Sequence, residues 1–239
     1  MVRRVLVMRH AHRYTDTYAL GDDPQLTPTG LTQAQQVAAL LRDEPIDAIF
    51  TSPWLRAIQT AAPLAAAKGL RLRIDRCLGE YLLAEGGHFD EDPLPHLAYE
   101  TRAAGAELPH VPAAVLAEDG GSPFPPFPED QASALARHKQ ALERVFAAVG
   151  GEDSSEGTVL IVGHGASNDF VIHALCGDGA HPTGRYSRPG PEPLPPPPHV
   201  CLTTIVRGAE GEGGWVLEGY GKPTVTTGNT NSAASTPRL

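Results

Sequence analysis

The stretch VLVMRHAHR, residues 5–13, runs four apolar side chains straight into two arginines and two histidines. Val5 to Met8 show no alternation of apolar and polar residues. That pattern predicts a strand covered on both faces, as in a parallel sheet packed between helices. Ligands of such sheets bind outside the carboxyl ends of the strands. The positive cluster that follows Met8 therefore predicts an anion pocket at that end.

Reading outward, Thr27-Pro28 forms a helix N-cap followed by proline at the first helical position. Ala34, Val37, Ala38 and Leu41 recur at helical spacing and predict one buried face of a helix ending near Asp43. IDAIFTS (46–52) is a second unbroken apolar strand. Ser52-Pro53 repeats the cap signal, Ile58, Ala61, Ala62 and Ala65 make the next stripe, and Gly69 stops that helix. LRLRID (70–75) alternates strictly, as a strand with one wet face does. Strand, helix, strand, helix, strand predicts an α/β fold: three layers, with a mostly parallel central sheet and helices on both faces.

Residues 84–129 break the pattern. They are rich in acids, histidine and proline, and SPFPPFPED (122–130) cannot be helical. They read as an insertion covering the active-site end of the sheet. Asp130 then caps a helix whose face is Leu135, Leu142, Val145 and Val149. TVLIVG (158–163) is another buried strand, followed by a turn and a helix closed by Gly177. Residues 178–199 form a proline-rich loop, and VCLTTIV (200–206) and GWVLEGY (214–220) an antiparallel pair. The expected organisation is a single domain over 1–227, with 228–239 a flexible tail.

The chain has 239 residues and a net charge of −9 from 19 basic and 28 acidic side chains. That balance argues against a nucleic-acid or anionic-membrane binder, so an anion site must be local. The three cysteines, Cys77, Cys176 and Cys201, are far apart, which fits free thiols in a reducing compartment. No apolar run approaches the roughly 20 residues of a membrane span. No signal peptide fits either. A cytoplasmic location is the expectation.

Three apolar strands lead into reactive residues at their carboxyl ends: Arg9-His10, Arg56 and Gly163-His164-Gly165. Arginine forks match phosphate oxygens, and helix N-termini add backbone N–H donors. Each residue alone has an ordinary reading, as a strand-end charge or a satisfied buried histidine. Arg56 lies in the first turn of its helix, against the macrodipole, which hints at an anion beside it. His10 and His12 are spaced as zinc ligands can be, but no cysteine or carboxylate completes a set nearby, so no metal is expected. The conjunction points to a tetrahedral dianion.

Four blocks carry a resemblance. MRHAHR resembles the Arg-His-Gly signature of the histidine phosphatase superfamily, which includes the cofactor-dependent phosphoglycerate mutases. LTPTGLTQAQQVAALL resembles its Leu-Thr-x-x-Gly-x-x-Gln-Ala segment. FTSPWLRAIQTAAPLA is similar to its Ser-Pro-x-x-Arg-Ala-x-Gln-Thr-Ala block, and VGHGASN to its second-histidine motif. Arg13, SPFPPFPE and GHGAS are similar to the phosphatase domain of ubiquitin-associated, SH3-containing regulators of T-cell signalling. The resemblance implies a phosphoglycerate mutase-like fold and a phosphomonoester hydrolase needing no cofactor. It implies His10 as nucleophile, with Arg9, Arg56 and His164 on the phosphoryl oxygens and Arg13 as an added phosphate contact. Glu80 in CLGEYLLAEGG is implied as the acid, then base, with Glu85 as fallback. The resemblance also allows a homodimer.

One departure stands out: Ala11 replaces the family's glycine after the histidine, which predicts a perturbed pocket. LGEYLLAEGG lacks the Glu-Arg-x-Tyr-Gly grip of the true mutases, so phosphatase is preferred to a mutase-type phosphotransferase. A weakly active, phosphate-binding regulator is the reading outside enzymology. The roof of the pocket should come from 84–129 and 178–199. There Asp90, Glu91 and Asp92 would repel bisphosphates, and Phe89, Tyr99, Phe124 and Phe127 would suit phosphotyrosine. A phosphorylated small molecule is the other substrate expected.

Overall fold

The computed structural model describes residues 1–14, 23–82, 92–117, 121–149, 157–177, 199–208 and 214–225. Strand β1 spans Val2–Arg9, followed by α1 (Pro28–Leu40), β2 (Ala48–Thr51), α2 (Leu55–Lys68) and β3 (Leu72–Ile74). A short helix α3 (Ala98–Thr101) precedes α4 (Gln131–Val149), β4 (Gly157–Gly163), α5 (Gly165–Cys176), β5 (Cys201–Arg207) and β6 (Trp215–Pro223). The strands form one sheet in the order β3-β2-β4-β1-β5-β6. The pairs β1–β4, β4–β2 and β2–β3 are parallel. Strand β5 runs antiparallel to both β1 and β6. This is the three-layer, mostly parallel α/β fold that the apolar strands predicted.

Each face of the sheet buries its own core. Leu6, Met8, Ile49, Leu160 and Val162 point to the side packed by α1 and α2. Val5, Val7, Phe50, Val159 and Ile161 point to the other side, where α4 and α5 lie. Successive strand residues thus alternate between two apolar layers, which is why these strands show no polar partner positions. The chain crosses from β1 over β4's place to β2 and β3, then returns by α4 on the opposite face to lay β4 between them. That reversal opens a crevice at the carboxyl ends, where ligands bind in this architecture.

Local signals act where expected, with two exceptions. Thr27 caps α1 by accepting from the Gly30 N–H, and Gly69 closes α2 in a left-handed conformation at φ 66°. The face expected for α4 is corrected: its buried residues include Ala134, Arg137, His138 and Ala141 as well as Leu142 and Val145. Leu135 and Val149 are only half-buried. Ser52-Pro53 does not cap α2. The helix begins later, its N-cap residue Trp54 makes no side-chain cap, and the Asp23 carboxylate accepts from the Leu55 N–H instead, 3.0 Å from both oxygens.

The described part of the insertion wraps two regions. Leu116 bridges to Leu72 and the Ala117 N–H donates to the Leu72 carbonyl, extending the sheet beyond β3. Leu94, Leu97 and Phe127 pack with Trp54 and Leu82 near the carboxyl end. Residues 83–91, 178–198 and 226–239, and with them the tail, the upper loop and Glu85, lie outside the described residues.

Candidate active site

The sheet register delivers the site. The parallel ladder continues past the strands: the His10 N–H donates to the Gly163 carbonyl at 2.9 Å, and the Ser52 N–H to the Val162 carbonyl at 3.1 Å. His10 and His164 therefore leave adjacent strands side by side, with ring centroids 5.4 Å apart and planes at 61°. Both are buried, 2% and 0% exposed, so their protonation is decided by surroundings rather than by bulk water.

His10 Nδ1 lies 2.8 Å from the Ala11 carbonyl oxygen, which can only accept. The proton therefore sits on Nδ1 and the Nε2 lone pair is bare. Burial, then the charges of Arg56, His164 and Arg9, hold this imidazole well below its ordinary pKa, so it is neutral. A neutral ring with one bare nitrogen is a nucleophile. The Ala11 N–H donates to Thr60 Oγ1 at 2.9 Å, and Thr60 donates to the Arg56 carbonyl at 2.7 Å. Thus the threonine of RAIQTA ties α2 to the nucleophile's own loop. The Ala11 methyl joins the apolar cluster of α1 and α2; the core absorbs it.

His164 is held in the same Nδ1–H tautomer by a different partner. Ser52 Oγ accepts from the Trp54 N–H at 3.3 Å, so its own proton is free for His164 Nε2 at 2.7 Å. Nδ1 then carries the ring proton and stands 3.4 Å from Glu80 Oε2. Burial, then Arg56 and Arg9, keeps this ring neutral too. Trp54 packs edge-on against it at 5.4 Å.

Three arginines converge with Glu80. Arg56 Nη2 lies 3.4 Å from Glu80 Oε2, and Arg56 Nη1 lies 3.9 Å from Asp23. Asp23 also accepts the Leu55 N–H, so it answers the macrodipole misfit at the start of α2. Burial pushes its carboxyl up to about 6 against the pull of Arg56. Arg9 and Arg56 both act on the charge of Arg13, which burial lowers to about 10 while Glu80 pulls it back. Arg9 also lies beside Gly165 at the N-terminus of α5; a Cβ there would meet Arg9 Nε at 3.8 Å. All six predicted residues, Arg9, His10, Arg13, Arg56, Glu80 and His164, thus gather at one end of the sheet.

Four further residues complete the site without having been signalled by spacing. Asp23 and Ser52 act through partners far along the chain. Trp54 walls the pocket. His199 donates from Nδ1 to the His10 carbonyl at 3.0 Å, and its ring lies tilted beside the His10 ring at 5.2 Å. Burial, then Arg9, lowers it to about 4. Among the described residues no group of three or more His, Cys, Asp or Glu is arranged to hold a metal.

The expected aromatic roof is corrected. Tyr99 is buried under the Arg102 guanidinium, and Phe127 packs against the Trp54 cluster. Phe124 lies under Arg76. Tyr99 and Phe127 are thus turned into the protein and not offered to a leaving group, while Phe124 is half exposed. Asp92 turns inward to accept the Leu94 N–H at 3.0 Å. Phe89, Asp90 and Glu91 lie outside the described residues.

Comparison with known proteins fits this geometry. Residues 5–188 match the model of the Histidine phosphatase superfamily (branch 1). The glucosyl-3-phosphoglycerate phosphatase of Mycobacterium tuberculosis is 30% identical over 172 residues, covering 68% of this chain and 70% of that protein. The solved mycobacterial glucosyl-3-phosphoglycerate phosphatase with VO3 superposes with a TM-score of 0.62 at 21% identity, covering 92% of this chain and 100% of the other. The phosphoserine phosphatase of Entamoeba histolytica with 3-phosphoglyceric acid gives 0.54 at 21% identity, covering 90% and 95%.

Proposed function

The chain belongs to the histidine phosphatase superfamily and is a phosphatase, and on that premise we propose that it hydrolyses small phosphate monoesters through a phosphohistidine on His10. The observation that carries the reading is the bare, neutral Nε2 of His10, set beside His164 and within the field of Arg56 and Arg9. In the first step the Nε2 lone pair attacks phosphorus and the ester P–O bond breaks. Glu80, protonated, gives its proton to the departing oxygen. Arg9, Arg56 and the Nδ1–H of His164 take the charge that builds on the three equatorial oxygens, and Arg13 adds a contact.

In the second step water attacks the phosphohistidine and loses a proton to the Glu80 carboxylate. The P–N bond breaks, its electron pair returns to His10, and Glu80 is protonated for the next cycle. Water and leaving group use the same side of the phosphorus, so one carboxylate serves both. Its position 3.4 Å from both Arg56 and His164 supports this role.

Small phosphorylated molecules are favoured as substrates. The relatives named above act, by their names, on glucosyl-3-phosphoglycerate and phosphoserine. The inward use of Tyr99 and Phe127 weighs against the phosphotyrosine preference that the likeness to the T-cell regulators suggested. Glu80→Gln tests the mechanism. Its first step should slow by about 100-fold or more for an alkyl phosphate such as 3-phosphoglycerate, yet stay within about threefold for p-nitrophenyl phosphate, whose leaving group needs no proton. Equal slowing of the first step with both esters assigns the acid elsewhere.

A further inference from the structure

Glu80 stands on a short segment that no strand or α-helix holds, between the one-turn helix Arg76–Leu78 and residue 82. Something else must fix it, because a carboxylate that acts on a leaving oxygen must be placed to within a fraction of an ångström. The fixing group is on α4. Arg137, 4% exposed, spends all five of its N–H donors inside the protein. Nη1 donates to the carbonyls of Cys77 at 2.7 Å and Gly79 at 3.2 Å, and Nη2 to the carbonyl of Glu80 itself at 2.8 Å. The remaining donors hold Glu129 in a two-pronged pair, Nε to Oε2 at 2.7 Å and Nη2 to Oε1 at 2.5 Å.

Glu129 carries the clamp to the far side of the acid. Its Oε1 accepts the Leu82 N–H at 2.8 Å, and its own N–H donates to the Leu82 carbonyl at 2.9 Å. Ser167 adds a hydroxyl to the Gly79 carbonyl at 2.6 Å. Backbone groups on both sides of residue 80 are therefore pinned, and only its side chain is left to reach Arg56 and His164. A buried ion pair of this kind is poor value as stabilisation, since taking two charges out of water offsets most of their attraction. Two apolar residues of equal volume could not grip the carbonyls of Cys77, Gly79 and Glu80.

We propose that Arg137, with Glu129 as its counter-ion, is a positioning residue that sets the placement of the Glu80 carboxylate for both proton transfers. The inference rests on the assignment of Glu80 made above. It makes the end of the insertion, residue 129, part of the acid's support.

The test is rapid-quench kinetics of the full chain with p-nitrophenyl phosphate, comparing wild type, Glu80→Gln, Arg137→Lys and the double variant. Nitrophenolate release reads the first step, and steady turnover reads hydrolysis of the phosphohistidine, which needs the Glu80 base. Glu80→Gln should release a burst at close to the wild-type rate and then turn over about 100-fold more slowly. Lysine keeps the charge at 137 but loses the fork. Arg137→Lys should show the same signature: a retained burst, turnover down by about tenfold or more, and KM within about twofold of wild type. In the Glu80→Gln background it should cost nothing further, since both changes remove one function. Three results overturn the proposal while Glu80→Gln still bursts: turnover by Arg137→Lys near wild type, burst and turnover slowed in equal proportion, or losses that multiply in the double variant. Absence of a burst in Glu80→Gln overturns the assignment of Glu80 instead. Should lysine at 137 prevent folding, Glu129→Gln is the second variant. It should retain its burst with slowed turnover, and wild-type turnover there overturns the clamp.

Discussion

At the scale of the residue, the chemistry comes from two buried imidazoles locked in the same Nδ1–H tautomer by different partners. The Ala11 carbonyl strips His10 Nε2 of its proton, and the Ser52 hydroxyl puts the His164 proton on Nδ1. One ring is thereby an electron-pair donor and the other a hydrogen-bond donor, without either being charged. Arg56 supplies the fixed positive charge between them and Glu80. Arg56→Ala should lower kcat/KM for p-nitrophenyl phosphate by about 3 kcal/mol of transition-state binding, roughly 100-fold, measured by initial rates. A loss under about threefold would remove it from the phosphoryl site. His10 and His164 were legible in the sequence because each follows an apolar strand directly, and Arg56 because it lies in the first turn of the helix after one. Ser52, Asp23 and His199 were not. Ser52 looked like a helix cap, and its true partner is a histidine just past the end of another strand. The bond from His199 to His10 joins residues at opposite ends of the chain. No local period can signal such a pairing.

At the scale of the element, the sequence blocks that carry the family resemblance turn out to be ties between elements. Gln33 of LTPTGLTQAQ accepts the His12 N–H at 2.9 Å, and Gln59 of RAIQTA accepts the Leu26 N–H at 2.8 Å. Both fasten the segments that flank the nucleophile to α1 and α2. Gly30 has a different reason. A Cβ there would come 2.0 Å from the His12 carbonyl oxygen, which is backbone and cannot swing aside. Gly30→Ala should therefore push the nucleophile's segment off α1, costing about 1–3 kcal/mol of stability and lowering turnover with it. Thermal melts and initial rates measure both; an alanine variant with unchanged Tm and turnover would contradict the close approach. The periodicity gave the strands and helices, since both faces of the sheet are apolar. It left Arg137 and His138 out of the buried face of α4, because an apolar stripe does not register polar side chains whose partners lie elsewhere in the chain.

At the scale of the whole molecule, the net negative charge and the positive pocket coexist because burial localises the arginines at one end of the sheet. Burial also makes the fold acid-sensitive. His10, His138, His164 and His199 all have pKa values lowered by burial. In the unfolded chain they titrate near 6.5, as ordinary histidines do. Below that pH the unfolded chain binds more protons than the native one, so stability falls as pH falls. Asp23 acts in the other sense: with its native value raised to about 6, the native state holds the extra proton between there and the ordinary carboxylate range. The histidines outnumber it. Each unopposed imidazole removes about 1.4 kcal/mol per pH unit, so Tm should drop steadily from pH 7 to 5 in a melting series, and a flat or rising series would contradict the neutral, buried assignments. The same lowering extends activity: no acid limb from His10 should cut kcat/KM at 6.5.

The most direct measurement is where the phosphate goes. Turnover of p-nitrophenyl phosphate is quenched in alkali, where an N–P bond survives, and the modified peptide is mapped by mass spectrometry. The phosphate should be found on His10 and vanish in His10→Ala together with turnover. Phosphate on any other residue, or undiminished turnover by His10→Ala, would contradict a nucleophile at the end of the first strand.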